Sequence, residues 1–466
     1  MRPVSTLPLL GLLLGLSLRA GAADPTGEDL EWPSYDITPC CQLCPAAADP
    51  AAYTGGYLRS FRQLIQGRDG WLFRSEDDFK SEFALSPKSY HDLGRFRDAL
   101  AARGVTLVML PLPPRGLIEW RQLEPEDQER FALERTRNSY AAFLESLRST
   151  GIAVPPLEEL LEAPMNEAFY FSRDHHWRPA GARRTAELVA RALQALPAFA
   201  EIESRQFQTR ADGVIRKGGT LTGAVRRLCG FGYTEEVATR FVTSTEGSGD
   251  ELLSDSAAPQ IVLAGTSNSD TAYNFSGFLS EYAGVDVLNV SVAGGDVEGA
   301  LLEYFSSAAF QEQAPSILIW EMPGYSNIDD DRVYRQVIPM IANGCRTGEP
   351  ELQATAPLGV HPEEALFNGN GVVRPLTGGD HLLDVTVSND AIRELKFTVW
   401  YTNGKKDSFT ISHPEHADTR GRFVVELRND PDFRDATFLS LDLASQKPQP
   451  EGTQADVLLC RRQEAT

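Results

Sequence analysis

The sequence lacks any long apolar segment after residue 18, and it lacks an excess of basic residues. Without such a segment, the rest of the chain predicts no membrane-spanning helix. The formal net charge is −21 at pH 7, which repels nucleic acid at long range and argues against it as a partner. An acidic ligand would therefore need a local basic patch. The chain also has no internal repeat and no low-complexity tract, which excludes repeat architectures.

The first residues carry the pattern of a secretory signal peptide. The apolar run at residues 7–18 is followed by small residues before Asp24, as at a signal cleavage site. The run is short for a membrane span, although an uncleaved anchor is the alternative. We expect residues 1–23 to be a signal peptide and the mature protein to be exported.

Cysteine is scarce, and its spacing argues against a zinc site. Cys41 and Cys44 form one C-x-x-C with no second pair to complete a tetrahedral site. In an exported chain the cysteines instead indicate disulfides. Their spacing does not show which cysteines pair. Cys345 and Cys460 bracket the last segment, which suggests a staple around it, whereas Cys40 and Cys41 have no evident role. The full set is Cys40, Cys41, Cys44, Cys229, Cys345 and Cys460.

Strand-like and helix-like patterns alternate from about residue 55 to residue 345. Short β-branched apolar runs are typical of strands buried on both faces, and helical patterns at 92–104 and 125–151 lie between them. This alternation predicts an α/β domain with a parallel sheet. The strand-like runs are residues 105–112, 260–265, 285–292 and 316–322.

The residue pattern of the sequence changes after Cys345. Residues 346–359 have the Pro, Gly and polar content of a linker, and short alternating segments separated by turn residues follow. Such segments with almost no helical pattern predict an antiparallel β-sandwich. We therefore expect one domain over residues 24–347 and a second over residues 348–466.

Ser267 is a candidate nucleophile. It follows the strand-like run 260–265 directly, so its hydroxyl is expected at the carboxyl end of the sheet, where open α/β sheets bind ligands. Helix N-terminal N–H groups at such a turn can stabilise an oxyanion. The alternative is that Ser267 or Ser269 merely caps the helix that follows.

Asp174 and His176 can supply the base that a serine nucleophile needs. They lie in a loop before a helix that Pro179 is suited to begin. Being two residues apart in an extended segment, they project to one side, where the carboxylate can orient the imidazole, and His175 is expected to face the other way. The alternatives are a metal site, for which further ligands are missing, and histidines buried for packing.

These residues resemble a known family. Residues 174–177 (DHHW) and Gly265-Thr266-Ser267 resemble the DHHW-containing branch of the SGNH hydrolase-like acyltransferases. The further segments 265–279, 317–321 and 400–404 are similar to the alginate O-acetyltransferases within that branch, and the resemblance covers nearly the whole mature chain. Ordinary SGNH hydrolases place the Ser block first, whereas here Asp and His precede Ser, as in the alginate enzymes.

The resemblance implies a role for each matching residue. Ser267 would be the nucleophile, His176 the general base and Asp174 its orienting partner. Tyr273 matches an active-site Tyr that either contacts a sugar hydroxyl or simply packs. Asn268 and Gly294 are candidates for the oxyanion hole through their backbone N–H groups. No metal and no organic cofactor is implied.

A second candidate site lies in the strand-like segment 394–401. Period-2 alternation predicts a core face and an opposite face with a cation, a hydroxyl and an indole in a row, which suits an acidic sugar. The family's C-terminal module binds carbohydrate, and the resemblance extends to Lys396, Thr398, Trp400 and Lys406, with Lys406 replacing an expected Arg. The local basic patch is expected to include Lys405, Lys406, Arg420, Arg422 and Arg428.

The combined expectation is a periplasmic enzyme that transfers acetyl groups to mannuronate hydroxyls of alginate. Its partners would be alginate, an unidentified acetyl donor and other components of the alginate export machinery. One alternative is a carbohydrate acetylesterase, in which water accepts the acetyl group. The other is a non-catalytic scaffold that binds alginate through the sandwich.

Overall fold

The computed structural model of the protein describes residues 43–162, 166–245 and 259–463. The predicted signal peptide at 1–23 lies outside these residues, as do Cys40 and Cys41. Within the part described, no helix has the length and apolar character needed to cross a membrane. The helices are α1 (Pro45–Ala48), α2 (Gly55–Arg59), α3 (Pro87–Ala101), α4 (Arg115–Ile118), α5 (Pro125–Arg130), α6 (Leu133–Ser149), α7 (Pro179–Gln194), α8 (Thr220–Cys229), α9 (Phe275–Ala283), α10 (Gly299–Ser306), α11 (Ala308–Glu312) and α12 (Asp331–Ile341).

A four-stranded parallel sheet forms the centre of the first domain, in the order β3-β8-β6-β7. Its three longer strands are almost entirely buried, as their continuous apolar runs predict. The parallel sheet expected from the alternating pattern is thus confirmed. The strands of this domain are β1 (Leu64–Gln66), β2 (Leu72–Arg74), β3 (Thr106–Leu112), β4 (Phe207–Lys217), β5 (Glu236–Thr245), β6 (Ile261–Ala264), β7 (Val287–Asn289) and β8 (Ile317–Pro323).

Helix α7 begins at Pro179, as the sequence predicts. Proline suits this first position because its missing N–H has no partner there in any helix. The helix buries one apolar face and packs against α9, the helix that follows Ser267. Consequently the loop before α7 and the turn before α9 are brought together.

The second domain is an antiparallel sandwich of two four-stranded sheets, β10-β15-β12-β13 and β14-β11-β16-β9, with a separate apolar core. The expected linker at 346–359 is wrong in part, because residues 352–357 pair with β16 as an outer strand. The strands are β9 (Leu352–Pro357), β10 (Glu363–Phe367), β11 (His381–Val387), β12 (Glu394–Tyr401), β13 (Lys406–Ser412), β14 (Arg422–Glu426), β15 (Phe438–Ser445) and β16 (Gln454–Arg461).

Two disulfides join distant parts of the chain. Cys345 and Cys460 are bonded, so the expected staple around the sandwich is confirmed. Cys44 bonds to Cys229 and ties the segment around α1 to the C-terminal end of α8. Both bonds close long loops, which restricts the unfolded chain and favours the folded one.

Charged side chains join the sandwich to the α/β domain: the Arg95–Glu426 ion pair crosses the junction, and Arg422, which is paired with Asp384 inside the sandwich, bonds across it to Asn343. Arg422 is almost fully buried and donates from Nε to Asp384 Oδ1 at 2.9 Å and from Nη1 to Asn343 Oδ1 at 2.8 Å. On the neighbouring surface, Arg95 of α3 binds both carboxylate oxygens of Glu426, at 2.7 and 2.9 Å. Because these charges are withdrawn from water, the loss of one partner would leave the other unpaired and costly.

Candidate active site

Asp174 lies at the centre of a hydrogen-bonded loop. Its carboxylate accepts the backbone N–H of His176 at 3.0 Å and also contacts the Nδ1 atom of the same imidazole. The second carboxylate oxygen accepts the N–H of Thr220, the first residue of α8, at 2.9 Å. The charge is therefore held by two backbone donors and one ring, which leaves the imidazole little freedom to rotate.

The other imidazole nitrogen of His176 contacts Ser267, the candidate nucleophile. His176 Nε2 lies 2.8 Å from Ser267 Oγ. Asp174, His176 and Ser267 thus form a continuous hydrogen-bonded line, although they come from two segments 91 residues apart. The alternative in which the serines cap the helix does not fit, because Thr266 accepts the N–H of Asn268 and caps this turn.

A buried carboxylate supports the turn that carries Ser267. Glu321, near the end of β8, accepts the backbone N–H of Thr266 at 2.8 Å and the hydroxyl of Ser269 at 2.9 Å. The hydroxyl of Thr266 lies 3.1 Å from both carboxylate oxygens. This role of Glu321 is not predictable from the segment 317–321, because a glutamate in an apolar strand does not indicate which residues lie next to it in the fold.

His175 differs from its prediction. Its ring lies against that of His176, with centroids 3.8 Å apart, and its Nδ1 is 2.8 Å from Thr220 Oγ1. The expected alternation failed because the loop is curved rather than extended. Asp174, His175 and His176 lie close enough together to bind one cation. However, Nδ1 of each histidine and both carboxylate oxygens already have hydrogen-bond partners.

Two further side chains surround the imidazole. Tyr273 is only 2% exposed, and its ring stacks on His176 with centroids 5.4 Å apart, which favours the packing alternative. Lys217, at the end of β4, places Nζ 4.0 Å from Asp174 Oδ1 and 5.1 Å from the centre of the Tyr273 ring. Sequence reasoning missed Lys217, because β4 alternates weakly and belongs to a ribbon that was not predicted.

The charges around the loop shift several pKa values. Burial would raise the pKa of Asp174, but the hydrogen bond to His176 and the nearby positive charges outweigh it and hold that pKa well below its ordinary value. Burial, and then the charge of His176, lower the pKa of His175. Burial and the charge of Asp174 raise the pKa of Tyr273. Asp174 therefore stays ionised and the Tyr273 hydroxyl stays protonated near neutral pH.

The two oxyanion candidates have different surroundings. Among the described residues, the N–H of Asn268 makes only a long hydrogen bond of 3.3 Å, to Thr266 Oγ1, and the Asn268 carbonyl accepts from Trp177 Nε1 at 2.7 Å. Gly294 has a positive φ of 74° and packs against the sandwich, where an added Cβ would come within 2.9 Å of His416. Both assignments remain predictions, and the contacts of Gly294 do not support its role.

The predicted sugar-binding row lies on one face of β12. The core-facing residues of this strand are buried, whereas Lys396 is exposed and Thr398 and Trp400 are partly exposed. Trp400 Nε1 donates to Asp442 Oδ2 at 2.8 Å, and Lys406 of β13 places Nζ 5.3 Å from the indole. These contacts fix the indole in place and put a cation beside it.

The predicted basic patch is smaller than expected. Arg422 is buried in its ion pair with Asp384 and cannot reach a ligand. Arg428 pairs with Asp430 at 2.7 Å, and Lys405 pairs with Asp432 at 2.9 Å. The strand alternation correctly predicted the row on β12, but residues of the next segment belong to the opposite sheet.

The parallel sheet, the serine at a strand end and the attached sandwich define the SGNH hydrolase-like proteins that carry a carbohydrate-binding module. Residues 64–324 match the family model described as an SGNH hydrolase-like domain of the acetyltransferase AlgX. Residues 344–466 match the model of a C-terminal carbohydrate-binding module. The chain belongs to the AlgX family of alginate biosynthesis proteins, which confirms the resemblance seen in the sequence.

Several relatives match over nearly their whole length. The alginate biosynthesis protein AlgX of Pseudomonas aeruginosa is 38% identical over 457 residues, covering 97% of this chain and 95% of the relative. AlgX of Azotobacter vinelandii is 38% identical over 458 residues, covering 97% and 94%. The solved structure of Pseudomonas aeruginosa AlgX matches with a TM-score of 0.83 at 37% identity, covering 90% of this chain and 100% of that one.

Proposed function

We propose that the protein transfers acetyl groups to hydroxyls of mannuronate residues in alginate through Ser267, His176 and Asp174. The observation that carries this proposal is the hydrogen-bonded line from Asp174 through His176 to Ser267 Oγ, at the carboxyl end of the parallel sheet. The family, whose model describes an acetyltransferase and whose named relatives act in alginate biosynthesis, supplies the reaction class and the polymer.

In the first half-reaction, Ser267 Oγ attacks the carbonyl carbon of the acetyl donor while His176 Nε2 takes its proton. The tetrahedral oxyanion collapses, the bond to the leaving group breaks, and His176 returns the proton to that group. An acetyl ester of Ser267 remains. Asp174 stays ionised throughout and stabilises the imidazolium that forms in each half-reaction.

In the second half-reaction, a mannuronate hydroxyl attacks the acetyl ester. His176 accepts the hydroxyl proton and then donates it to Ser267 Oγ as the ester bond to the enzyme breaks. The backbone N–H of Asn268 is the better placed of the two oxyanion candidates, because its hydrogen bond to Thr266 Oγ1 is long. Gly294 is retained as a proposal from the family resemblance alone.

Transfer to sugar rather than water requires that the acceptor be held close to the acetyl ester. Lys217 is suited to this, since its ammonium group beside the triad is partly exposed and can attract a uronate carboxylate. The row of Lys396, Thr398 and Trp400, together with Lys406, would hold a more distant part of the polymer. Tyr273 would then act mainly by packing against His176.

We further propose that the protein works in the periplasm, with residues 1–23 as signal peptide and domains at 24–347 and 348–466. The two disulfides support an oxidising compartment. Alginate is the proposed polymer partner, and other components of the export machinery are proposed from the family resemblance. The acetyl donor is an activated acetyl ester or an acetylated protein.

Mass spectrometry after incubation with an activated acetyl ester and mannuronate oligomers tests the proposal. The wild type should acetylate the oligomers and pass through an acetylated peptide containing Ser267, whereas Ser267→Ala should do neither. Ser269→Ala is the matched control, because that hydroxyl supports the turn without contacting the imidazole. Free acetate with unmodified oligomers would instead indicate an esterase, and no Ser267-dependent reaction would indicate a scaffold.

A further inference from the structure

A cavity lies outside the triad, between α7, β5 and α9. Its volume is about 300 Å³, at the small end of the range for small-molecule sites. Its walls include the side chains of Arg183, Phe241 and Tyr282, and Asn166 and Glu167 are exposed at its rim. None of these residues takes part in the reaction proposed above.

Arg183 is the unusual residue of this cavity. Its guanidinium carbon lies 4.5 Å from the centre of the Phe241 ring and 4.7 Å from that of Phe278, so the group is clamped by two aromatic rings. Its Nε atom is buried and has no hydrogen-bond partner among the residues that the structure describes. Because the residue is only partly buried, a ligand would pair with the terminal nitrogens of the guanidinium rather than with Nε.

The charges next to Arg183 do not neutralise it. Arg184, which also lines the cavity, forms its ion pair with Glu187 at 3.0 Å, so that carboxylate is already engaged. Within the described part of the chain, no carboxylate lies within ion-pair distance of the Arg183 guanidinium. The cavity therefore offers a guanidinium without an ion-pair partner of its own beside an aromatic wall; Glu187 also lines the cavity but is held by Arg184, and Glu167 lies at the rim.

This combination fits one class of ligand. A guanidinium pairs with a carboxylate, aromatic rings pack against the apolar face of a sugar, and the amide and carboxylate at the rim can bond to hydroxyls. A uronic acid residue carries all three features. We propose that the cavity binds one uronate residue of the acceptor polymer, with its carboxylate on Arg183; the identity of the polymer rests on the proposed function.

The position of the cavity suits a chain that also reaches the triad. Pro179 lines the cavity and begins α7 three residues after His176. Three extended residues span at most roughly 11 Å, so the near wall of the cavity lies within that reach of the base. A uronate bound there would belong to the same polymer as the sugar at Ser267, and it would help to position the acceptor.

Calorimetric titration of the full chain with short mannuronate oligomers tests this inference. All proteins carry Trp400→Ala to weaken the proposed site on the sandwich. Adding Arg183→Met should weaken binding about tenfold, the order expected for one charge-assisted hydrogen bond. Arg191→Met is the matched control, since Arg191 lies on the same helix but pairs with Glu159 outside the cavity. Equal binding by the two variants would overturn the inference.

Two further measurements keep the test decisive. Uncharged mannose oligomers should bind the Arg183→Met and Arg191→Met proteins equally, because they lack the carboxylate. If Arg183→Met does not fold, Arg183→Lys replaces it and should still bind mannuronate more weakly, since an ammonium group lacks the planar fork. Unchanged binding by Arg183→Lys would then count against the proposal.

This titration is independent of catalysis. It measures binding without an acetyl donor, so loss of binding in Arg183→Met would support the cavity even if no acetyl transfer were found. Conversely, Ser267-dependent transfer with unchanged binding by Arg183→Met would leave the proposed function intact and refute the cavity alone.

Discussion

Glu321 explains why the turn carrying Ser267 holds one geometry. Its buried carboxyl oxygens accept the backbone N–H of Thr266 and the hydroxyl of Ser269, and they lie within hydrogen-bond distance of the Thr266 hydroxyl. Burial raises the pKa of Glu321, and the hydrogen bonds that it accepts oppose this shift. Its position below the turn makes Glu321 a positioning residue in the proposed mechanism, because no contact joins it to Ser267 Oγ.

We predict that Glu321→Gln lowers kcat for acetyl transfer by on the order of 10²-fold, while KM for the oligomers changes little. The new amide NH2 group would face the donors of Thr266 and Ser269, so the turn must shift, and small displacements of reacting atoms cost about this much. Steady-state kinetics with mannuronate oligomers measures the two constants.

Ser269→Ala is the graded control for this prediction, because it removes one donor and leaves the carboxylate. Its kcat should fall less than that of Glu321→Gln. If both variants instead raise KM and leave kcat unchanged, Glu321 does not position the nucleophile.

Asp174→Asn should lower kcat by about 10³- to 10⁴-fold, because the amide cannot stabilise the imidazolium as the carboxylate does. It should also change stability with pH. The pKa of Asp174 is lowered in the folded protein from an unfolded value near 3.9, so its stabilisation is full above about pH 5 and is lost as pH falls towards the lowered pKa.

Denaturant unfolding at several pH values measures the second effect. The difference in unfolding free energy between wild type and Asp174→Asn should be constant near neutral pH and shrink below about pH 4. A difference that grows in acid would contradict the charge state assigned to Asp174.

The residues of the triad could be predicted from the sequence because each follows a simple local rule. A serine directly after a buried strand stands at the sheet edge, and Asp174 and His176 stand in the loop before a proline-initiated helix. Glu321, Thr220 and Lys217 could not be predicted, because their roles depend on which distant segments meet. The orientation of His175 was wrong because extended alternation does not hold in a curved loop.

Among the elements, the buried strands were predictable and the exposed ones were not. β3, β6 and β8 are continuous apolar runs, whereas most residues of the β4-β5 ribbon are exposed or half-buried and give little periodic signal. That ribbon nonetheless carries Lys217 to the triad. The segment 352–357 resembled a linker because an outer strand needs few apolar residues.

Strand β12 leads to a prediction for polymer binding. Trp400→Ala should weaken binding of long mannuronate polymers by roughly tenfold, since stacking on an indole and the cation beside it are lost together. Trp400→Phe keeps an aromatic face but loses the hydrogen bond to Asp442, so its binding should be intermediate. Titration calorimetry of wild type and both variants measures the three affinities. Equal binding by Trp400→Ala and wild type would exclude this face of β12 as a polymer-binding site.

At the scale of the whole molecule, the proposed function requires that the α/β domain and the sandwich keep a fixed relative position while both bind one polymer. The apolar core of the α/β domain continues into the sandwich through Leu382 and Val424, and the ion pairs Arg95–Glu426 and Arg335–Asp407 cross this junction. The net charge of −21 opposes any acidic polymer at long range, so binding depends on local cations held at fixed points. A rigid junction would allow the triad and β12 to act on one chain together.

We predict that Arg422→Met lowers the unfolding free energy by about 3 to 5 kcal/mol, because it leaves Asp384 buried without its charge partner. It should also divide the unfolding of the two domains into separate transitions, because the hydrogen bond from Arg422 to Asn343 across the junction is lost, whereas the wild type should show one transition. Arg420→Met is the matched control, since Arg420 is exposed and its change should stay within about 0.5 kcal/mol. Scanning calorimetry measures both effects, and a single transition at the wild-type temperature in Arg422→Met would mean that the disulfide and the shared core hold the junction without the Arg422 hydrogen bonds to Asn343.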